Sequence, residues 1–123
     1  DDASFDVSSI AFGIRNVADP RAGIRELARV VKSGGRVMIL EFGQPPNSGF
    51  RALYDFYRRH ILPRVGGIVT GEQAAYEYLD RSAGAFPSGD AFVRLMHESA
   101  AFQSIEYERL MFGVAYVYRG VRA

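Results

Sequence analysis

Arg36-Val-Met-Ile-Leu-Glu-Phe42 is apolar on both faces through its middle, and it decides the reading of the chain. A strand of that kind belongs inside a parallel sheet covered by helices on both sides. Upstream, Phe5-Asp-Val-Ser-Ser-Ile-Ala-Phe12 is a second apolar run bounded by polar residues, and it reads as a buried strand. Between the two, Asp19-Pro20 supplies a helix cap followed by proline at the first helical position. Ile24, Leu27, Ala28 and Val31 then form an apolar stripe, with Arg21, Arg25, Arg29 and Lys32 on a polar side. Gly34-Gly35 is read as the stop of that helix. Strand, capped helix and apolar strand make a βαβ unit, so the fold class is α/β.

Further along, Gln44-Pro-Pro-Asn-Ser-Gly49 is a loop. It leads to a helix with Phe50, Leu53, Tyr54, Tyr57 and Ile61 on one face. Arg51, Asp55, Arg58 and Arg59 face away, Asp55 and Arg59 at ion-pair spacing. Pro63 is expected to close this helix, and residues 66–71 read as a glycine-rich connector. A third helix is expected over residues 72–83, with Tyr76, Leu79 and Ala83 in register. Phe86-Pro87 breaks it, and Ser88 caps a fourth helix carrying Phe92, Leu95 and Met96. Residues 104–109 alternate in strand fashion, residues 114–119 also read as a strand, and Gly113 lies between them.

The 123 residues are one domain's worth of chain, or part of a larger domain. With 48% hydrophobic and 24% charged residues the composition is globular. A net charge of +1 gives no bulk argument for nucleic acid, although the basic side is fourteen arginines and only Lys32. The absence of cysteine excludes disulfides, thiol catalysis and thiolate metal sites. His60 and His97 alone do not make a zinc site. No apolar run approaches the roughly 20 residues of a spanning helix. Phosphate-loop and dinucleotide fingerprints are missing; Gly66 and Gly71 have the Walker spacing, but Glu72 stands where lysine is needed.

In an open α/β sheet ligands bind beyond the carboxyl ends of the strands. Ala11-Phe-Gly-Ile-Arg-Asn-Val17 sits just past such an end. Gly13 allows close backbone approach to a ligand. Arg15 either pairs with an anion or enolate, or ties the loop to a carboxylate such as Glu41 or Asp19. Asn16 both donates and accepts.

Several segments together resemble one family. They are Phe5-Asp-Val7, Ala11-Phe-Gly-Ile-Arg-Asn-Val17, Arg29-Val-Val-Lys-Ser-Gly-Gly-Arg-Val37 and Leu40-Glu-Phe42. Tyr54-Asp-Phe-Tyr57, Ile61-Leu-Pro-Arg-Val-Gly66, Tyr76-Glu-Tyr-Leu79, Ser82 and Phe86-Pro87 continue the series. In order and spacing they resemble the C-terminal half of the ubiquinone/menaquinone biosynthesis C-methyltransferases. The resemblance implies a Rossmann-like class I methyltransferase sheet of parallel strands plus a terminal antiparallel strand, with helices packed on it. Residues 1–123 would be the C-terminal portion of one methyltransferase domain, without the cofactor-binding N-terminal half. The implied reaction is methyl transfer from S-adenosylmethionine to a ring carbon of a prenylated hydroquinone.

On that reading Arg15 steadies the developing phenolate, and Asn16 orients the ring oxygen or a water. Ala11, Phe12 and Gly13 form part of the floor under the cofactor. Tyr54 and Tyr57 line a slot for the quinol or pack the helix. His60 is a proton acceptor or a chance histidine. Arg58 and Arg59 touch anionic lipid headgroups or form a solvated face. A cytoplasmic protein with peripheral contact at the inner face of the membrane is expected, with self-association through the exposed first strand and no nucleic acid or metal. The isolated chain is expected to bind S-adenosylmethionine weakly or not at all. Two other readings stand beside this one: a truncated, non-catalytic methyltransferase-like module acting in assembly, and the same fold acting on another phenol. The Phe-Gly-Ile-Arg-Asn run argues against the latter.

Overall fold

A computed structural model describes residues 1–72, 74–75, 77–78 and 86–123. Four strands, β1 (Phe5–Ala11), β2 (Val31–Phe42), β3 (Phe102–Leu110) and β4 (Ala115–Arg122), form one sheet in the order β1-β2-β4-β3. β1 and β2 are parallel, and β4 runs antiparallel to both β2 and β3. β3 therefore points the same way as β1 and β2, and the last strand alone is reversed. This is the Rossmann-like arrangement that the resemblance implied.

Helix α1 (Pro20–Arg29) starts as expected: the Asp19 carboxylate accepts from the backbone N–H groups of Arg21 and Ala22, and proline opens the first turn. It stops at Arg29, earlier than the glycine pair suggested. The glycines instead serve a bulge at the start of β2. There β1 advances from Phe5 to Val7 while β2 advances from Val31 to Arg36. Gly34 turns this bulge at φ +82°, and a Cβ on Gly35 would lie 2.6 Å from the Asp6 carbonyl oxygen.

Helices α1 and α4 (Asp90–Ser99) cover one face of the sheet. Ile24, Ala28, Phe92 and Met96 pack there with Val37, Ile39, Tyr116 and Tyr118. Arg21 and Glu98 join the two helices through an exposed ion pair at 2.6 Å. On the opposite face, Met38, Leu40 and Val117 are half-exposed and line a shallow depression of about 290 Å3. The expectation that β2 is covered on both faces is thus corrected: among the described residues only one face is covered. β1 is not the buried strand its apolar run suggested but the exposed first strand expected with the resemblance. It lies at the edge of the sheet, with Phe5 and Val7 exposed.

The helix after the loop is longer than its sequence suggests. Asn47 caps α2 (Ser48–Phe56), its side-chain oxygen accepting from the Phe50 N–H at 2.9 Å. A π turn (Tyr57–Ile61) follows, then α3 (Leu62–Thr70), so residues 48–70 form one rod. Pro63 does not end it. The Leu62 N–H reaches back to the Tyr57 carbonyl, and this wide turn brings Pro63 into the first turn of α3, where a missing N–H is harmless. The expected connector at 66–71 is the second half of α3, closed by Gly71 at φ +76°. The predicted faces hold only in part: Phe50 and Tyr54 are half-buried and Arg51 and Arg59 exposed as expected, but the rest is exchanged. Arg58 is 4% exposed and pairs with Asp55 at 3.0 Å, whereas Leu53, Phe56, Tyr57 and Ile61 are exposed. The markers of the third helix, Tyr76, Leu79 and Ala83, lie outside the described residues.

Gly89, not Ser88, precedes α4; the Ser88 hydroxyl accepts instead from the Gln44 N–H at 3.1 Å. Next to it, the buried Tyr118 hydroxyl accepts from the Gly89 N–H at 2.8 Å, and its ring lies 4.3 Å from Phe92. Burial pushes the Tyr118 phenol well above its ordinary value of 10.0. Below that value the phenol is neutral in both the folded and the unfolded chain. Above it the unfolded chain loses the proton that the folded chain retains, so stability falls as pH rises. Denaturant midpoints should therefore drop between about pH 9 and about pH 11, and Tyr118→Phe should flatten that drop.

Candidate functional site

The chain leaves β1 at Ala11 and turns through Phe12, a non-glycine residue held at φ +56°. That conformation costs roughly 1–2 kcal/mol. It is fixed by a Phe12 N–H bond to the Leu40 carbonyl at 2.8 Å and by the Phe12 ring on Phe42 at 4.6 Å. Gly13 needs no left-handed backbone; a Cβ there would meet the Ile10 side chain at 3.2 Å. A short 3-10 turn (Ile14–Asn16) follows, anchored by buried Ile14.

Arg15 and Glu41 bind this turn to the end of β2. The guanidinium meets Glu41 Oε1 at 2.6 Å, with side-chain exposures of 8% and 1%. The same nitrogen donates to the Phe12 carbonyl at 2.8 Å. Glu41 also accepts from the Phe42 N–H at 2.9 Å and the Arg15 N–H at 3.4 Å. The guanidinium carbon sits 5.1 Å from the centroid of the Phe42 ring. A buried carboxylate with this many donors is satisfied, and it fixes the loop geometry. Of the two sequence readings of Arg15, the structure realises the tie to Glu41. The guanidinium is directed at Glu41 and the Phe12 carbonyl. Asp19 caps α1 instead.

Asn16 is exposed at the lip of the sheet, and its side-chain oxygen accepts from the Tyr78 hydroxyl at 2.5 Å. Arg15, Asn16, Phe12, Gly13, Glu41, Phe42 and Tyr78 thus form one constellation at the carboxyl ends of β1 and β2. Ala11 lines the depression on the open face beside Ser9 and Met38. Tyr54, Tyr57 and His60 belong to the rod. Tyr54 stacks on Phe50 at 6.5 Å and under the Arg58 guanidinium at 5.7 Å, and the exposed His60 ring lies 5.0 Å from Phe56. Arg58 is buried against Asp55, which corrects its expected outward position; Arg59 is exposed.

Three members, Glu41, Phe42 and Tyr78, were not singled out as site residues from the sequence. Glu41 carried a signal, as the one carboxylate ending an apolar strand. Tyr78 carried none, because nothing local links position 78 to position 16.

A family model described as the ubiE/COQ5 methyltransferase family matches residues 1–122. The chain belongs to the ubiE/COQ5 methyltransferase family. A family relative from Bdellovibrio bacteriovorus, named ubiquinone/menaquinone biosynthesis C-methyltransferase UbiE, is 56% identical over 119 residues, covering 97% of this chain and 51% of the relative. A demethylmenaquinone methyltransferase from Thermus thermophilus is 44% identical over 121 residues, covering 98% and 54%. The chain therefore spans about half the length of the curated relatives it matches. Among solved structures, a SAM-dependent methyltransferase from Thermotoga maritima superposes with a TM-score of 0.66 at 18% identity, over 99% of this chain and 57% of that one. Another from Methanosarcina mazei gives 0.54 at 20% identity, over 98% and 60%. These likenesses bear on the fold alone.

Proposed function

We propose that residues 1–123 form the acceptor-side portion of an S-adenosylmethionine-dependent C-methyltransferase that methylates a ring carbon of a prenylated hydroquinone. The observation that carries this reading is the family match along residues 1–122, with relatives named as quinone-biosynthesis C-methyltransferases.

The residues at the end of β1 suit part of the cofactor. Ala11 is small and exposed beside an apolar depression, a fit for the apolar portion of the donor. Glu41, the carboxylate at the adjoining end of β2, is committed to Arg15. When bound, S-adenosylmethionine supplies an already activated methyl group. Loss of a phenolic proton would make the acceptor ring carbon nucleophilic toward that methyl group. What this chain contributes is alignment and charge placement. Asn16, its oxygen held by Tyr78, keeps two amide N–H donors for a ring oxygen. Arg15 is a positioning residue: through Glu41 and the Phe12 carbonyl it holds the turn that presents Asn16.

The test is incubation of the full-length protein carrying this segment with isotopically labelled methyl donor and demethylmenaquinol. The expected product is heavier by one labelled methyl on a ring carbon. Label on oxygen, or no transfer with the donor bound, would reject the reading; the second result would favour a non-catalytic module.

A further inference from the structure

We infer that Met111 and Phe112, with Phe50, form a subsite for the first prenyl units of the acceptor, set apart from the donors that Asn16 offers to its ring. This deepens the proposed methyl transfer and rests on it. Met111 and Phe112 turn the chain from β3 into β4. They do so at the lip that also carries Phe12 and Asn16, because β4 begins with Ala115 paired to Phe42 at the end of β2. From the end of β1 to the start of β4 is two strand spacings, about 10 Å. Phe12 and Phe42, their rings 4.6 Å apart, close the ends of β1 and β2 on that path. The line from the proposed ring site to the tip is therefore marked by apolar groups.

Two observations single out this tip. The first is strain. Met111 and Phe112 adopt φ +50° and +61°, and Phe12 adopts +56°, so three of the four non-glycine residues at positive φ among the described residues stand at this lip. Such conformations persist where the surroundings over-determine them, and they gather at ligand clamps. Here the surroundings are firm. A Cβ on Gly113 would lie 2.8 Å from Pro45 Cα, so the turn rests on the backbone that leads into the rod, and the Tyr116 hydroxyl donates to the neighbouring Gln44 carbonyl at 2.8 Å. The second observation is exposure. Phe112 is 79% exposed, so burial does not offset its strain, and its ring lies 5.5 Å from that of Phe50. Phe50 in turn stacks on Tyr54, which joins tip and rod in one aromatic run. Chemistry selects the occupant. The Met111 and Phe112 side chains carry no hydrogen-bond donor and cannot orient ring oxygens. They suit a hydrocarbon, and a flexible thioether adapts to the irregular outline of a methyl-branched chain.

The test compares two acceptors with one ring, a demethylmenaquinol bearing a geranyl tail and 1,4-naphthalenediol without a tail, in the full-length protein. Phe112→Gly suits the backbone and removes only the ring. It should lower the ratio of kcat/KM for the tailed acceptor to that for the tailless one about tenfold, with the change in the KM of the tailed acceptor. Its urea midpoint should be no lower than the parent's, because glycine relieves the strain. A ratio left unchanged, whether both rates hold or both fall, overturns the inference. So does a midpoint that drops, since the ring would then be holding the fold. If the parent methylates neither acceptor, the methyl-transfer reading fails on its own. Equilibrium dialysis of the geranylated quinol against parent and Phe112→Gly then decides the subsite: binding about tenfold weaker in the variant upholds it, and equal binding overturns it.

Discussion

Glu41→Ala should destabilise the fold by about 3–5 kcal/mol, because it strands a buried guanidinium without its counter-charge. The Arg15 side chain is only 8% exposed, and the bond of the same nitrogen to the neutral Phe12 carbonyl supplies no counter-charge. The substitution also removes the acceptor of the Phe42 and Arg15 backbone N–H groups, so three donors lose one carboxylate at once. Arg15→Ala should be similarly costly, by leaving the carboxylate 1% exposed and short of its cation. The double variant Arg15→Met with Glu41→Leu should lose far less than the sum of the two single truncations, since apolar side chains can fill the space. Urea unfolding of the four proteins measures this directly. As a contrast, Arg21→Ala breaks the exposed pair with Glu98 and should cost no more than about 1 kcal/mol. A Glu41→Ala loss as small as that one would show that the pair does not hold the turn.

Asn16→Ala should lower the turnover of methyl transfer about a hundredfold in the full-length protein, with donor affinity within about twofold of the parent. The argument is geometric. Asn16 stands on the turn that Arg15 and Glu41 fix, and Tyr78 holds its oxygen, so its donors are aimed before an acceptor arrives. Loss of a preorganised donor affects the charge-developing state more than ground-state binding. Tyr78→Phe leaves the donors in place and frees their aim, so a smaller loss of about tenfold is expected. Steady-state kinetics with both substrates varied separates the effects. Equal losses in turnover and donor affinity would remove Asn16 from the acceptor side and make it a general support of the fold.

Local chemistry was the legible part of this chain. Asp19-Pro20 announces the start of α1 because the cap and the proline act within one turn, and Phe92 and Met96 announce the core face of α4 by spacing. Glycine and proline were ambiguous in kind. Gly34-Gly35 carries the same signal whether the left-handed residue closes a helix or turns a bulge, and only the pairing of Phe5 with Val31 decides. Pro63 reads as a breaker until a π turn ahead of it removes the clash. The faces of α2 were only partly legible, because a stripe of Leu53, Tyr57 and Ile61 looks like a core stripe whether or not anything covers it. The site was half legible. Glu41 was already a named partner for Arg15, but the choice between an inward and an outward guanidinium depends on the burial of both groups.

The π turn of the rod has a geometric consequence. Leu53, Tyr57, Ile61, Val65 and Val69 are spaced by four residues, and each such step overshoots a full α-helical turn by about 40°. An uninterrupted helix would therefore wind the row about 160° around its axis between the first and the last of them. The extra residue spent in the wide turn at 57–61 takes back about 100° of that rotation. The row is thus straightened into a keel, and its alignment depends on one residue of chain length.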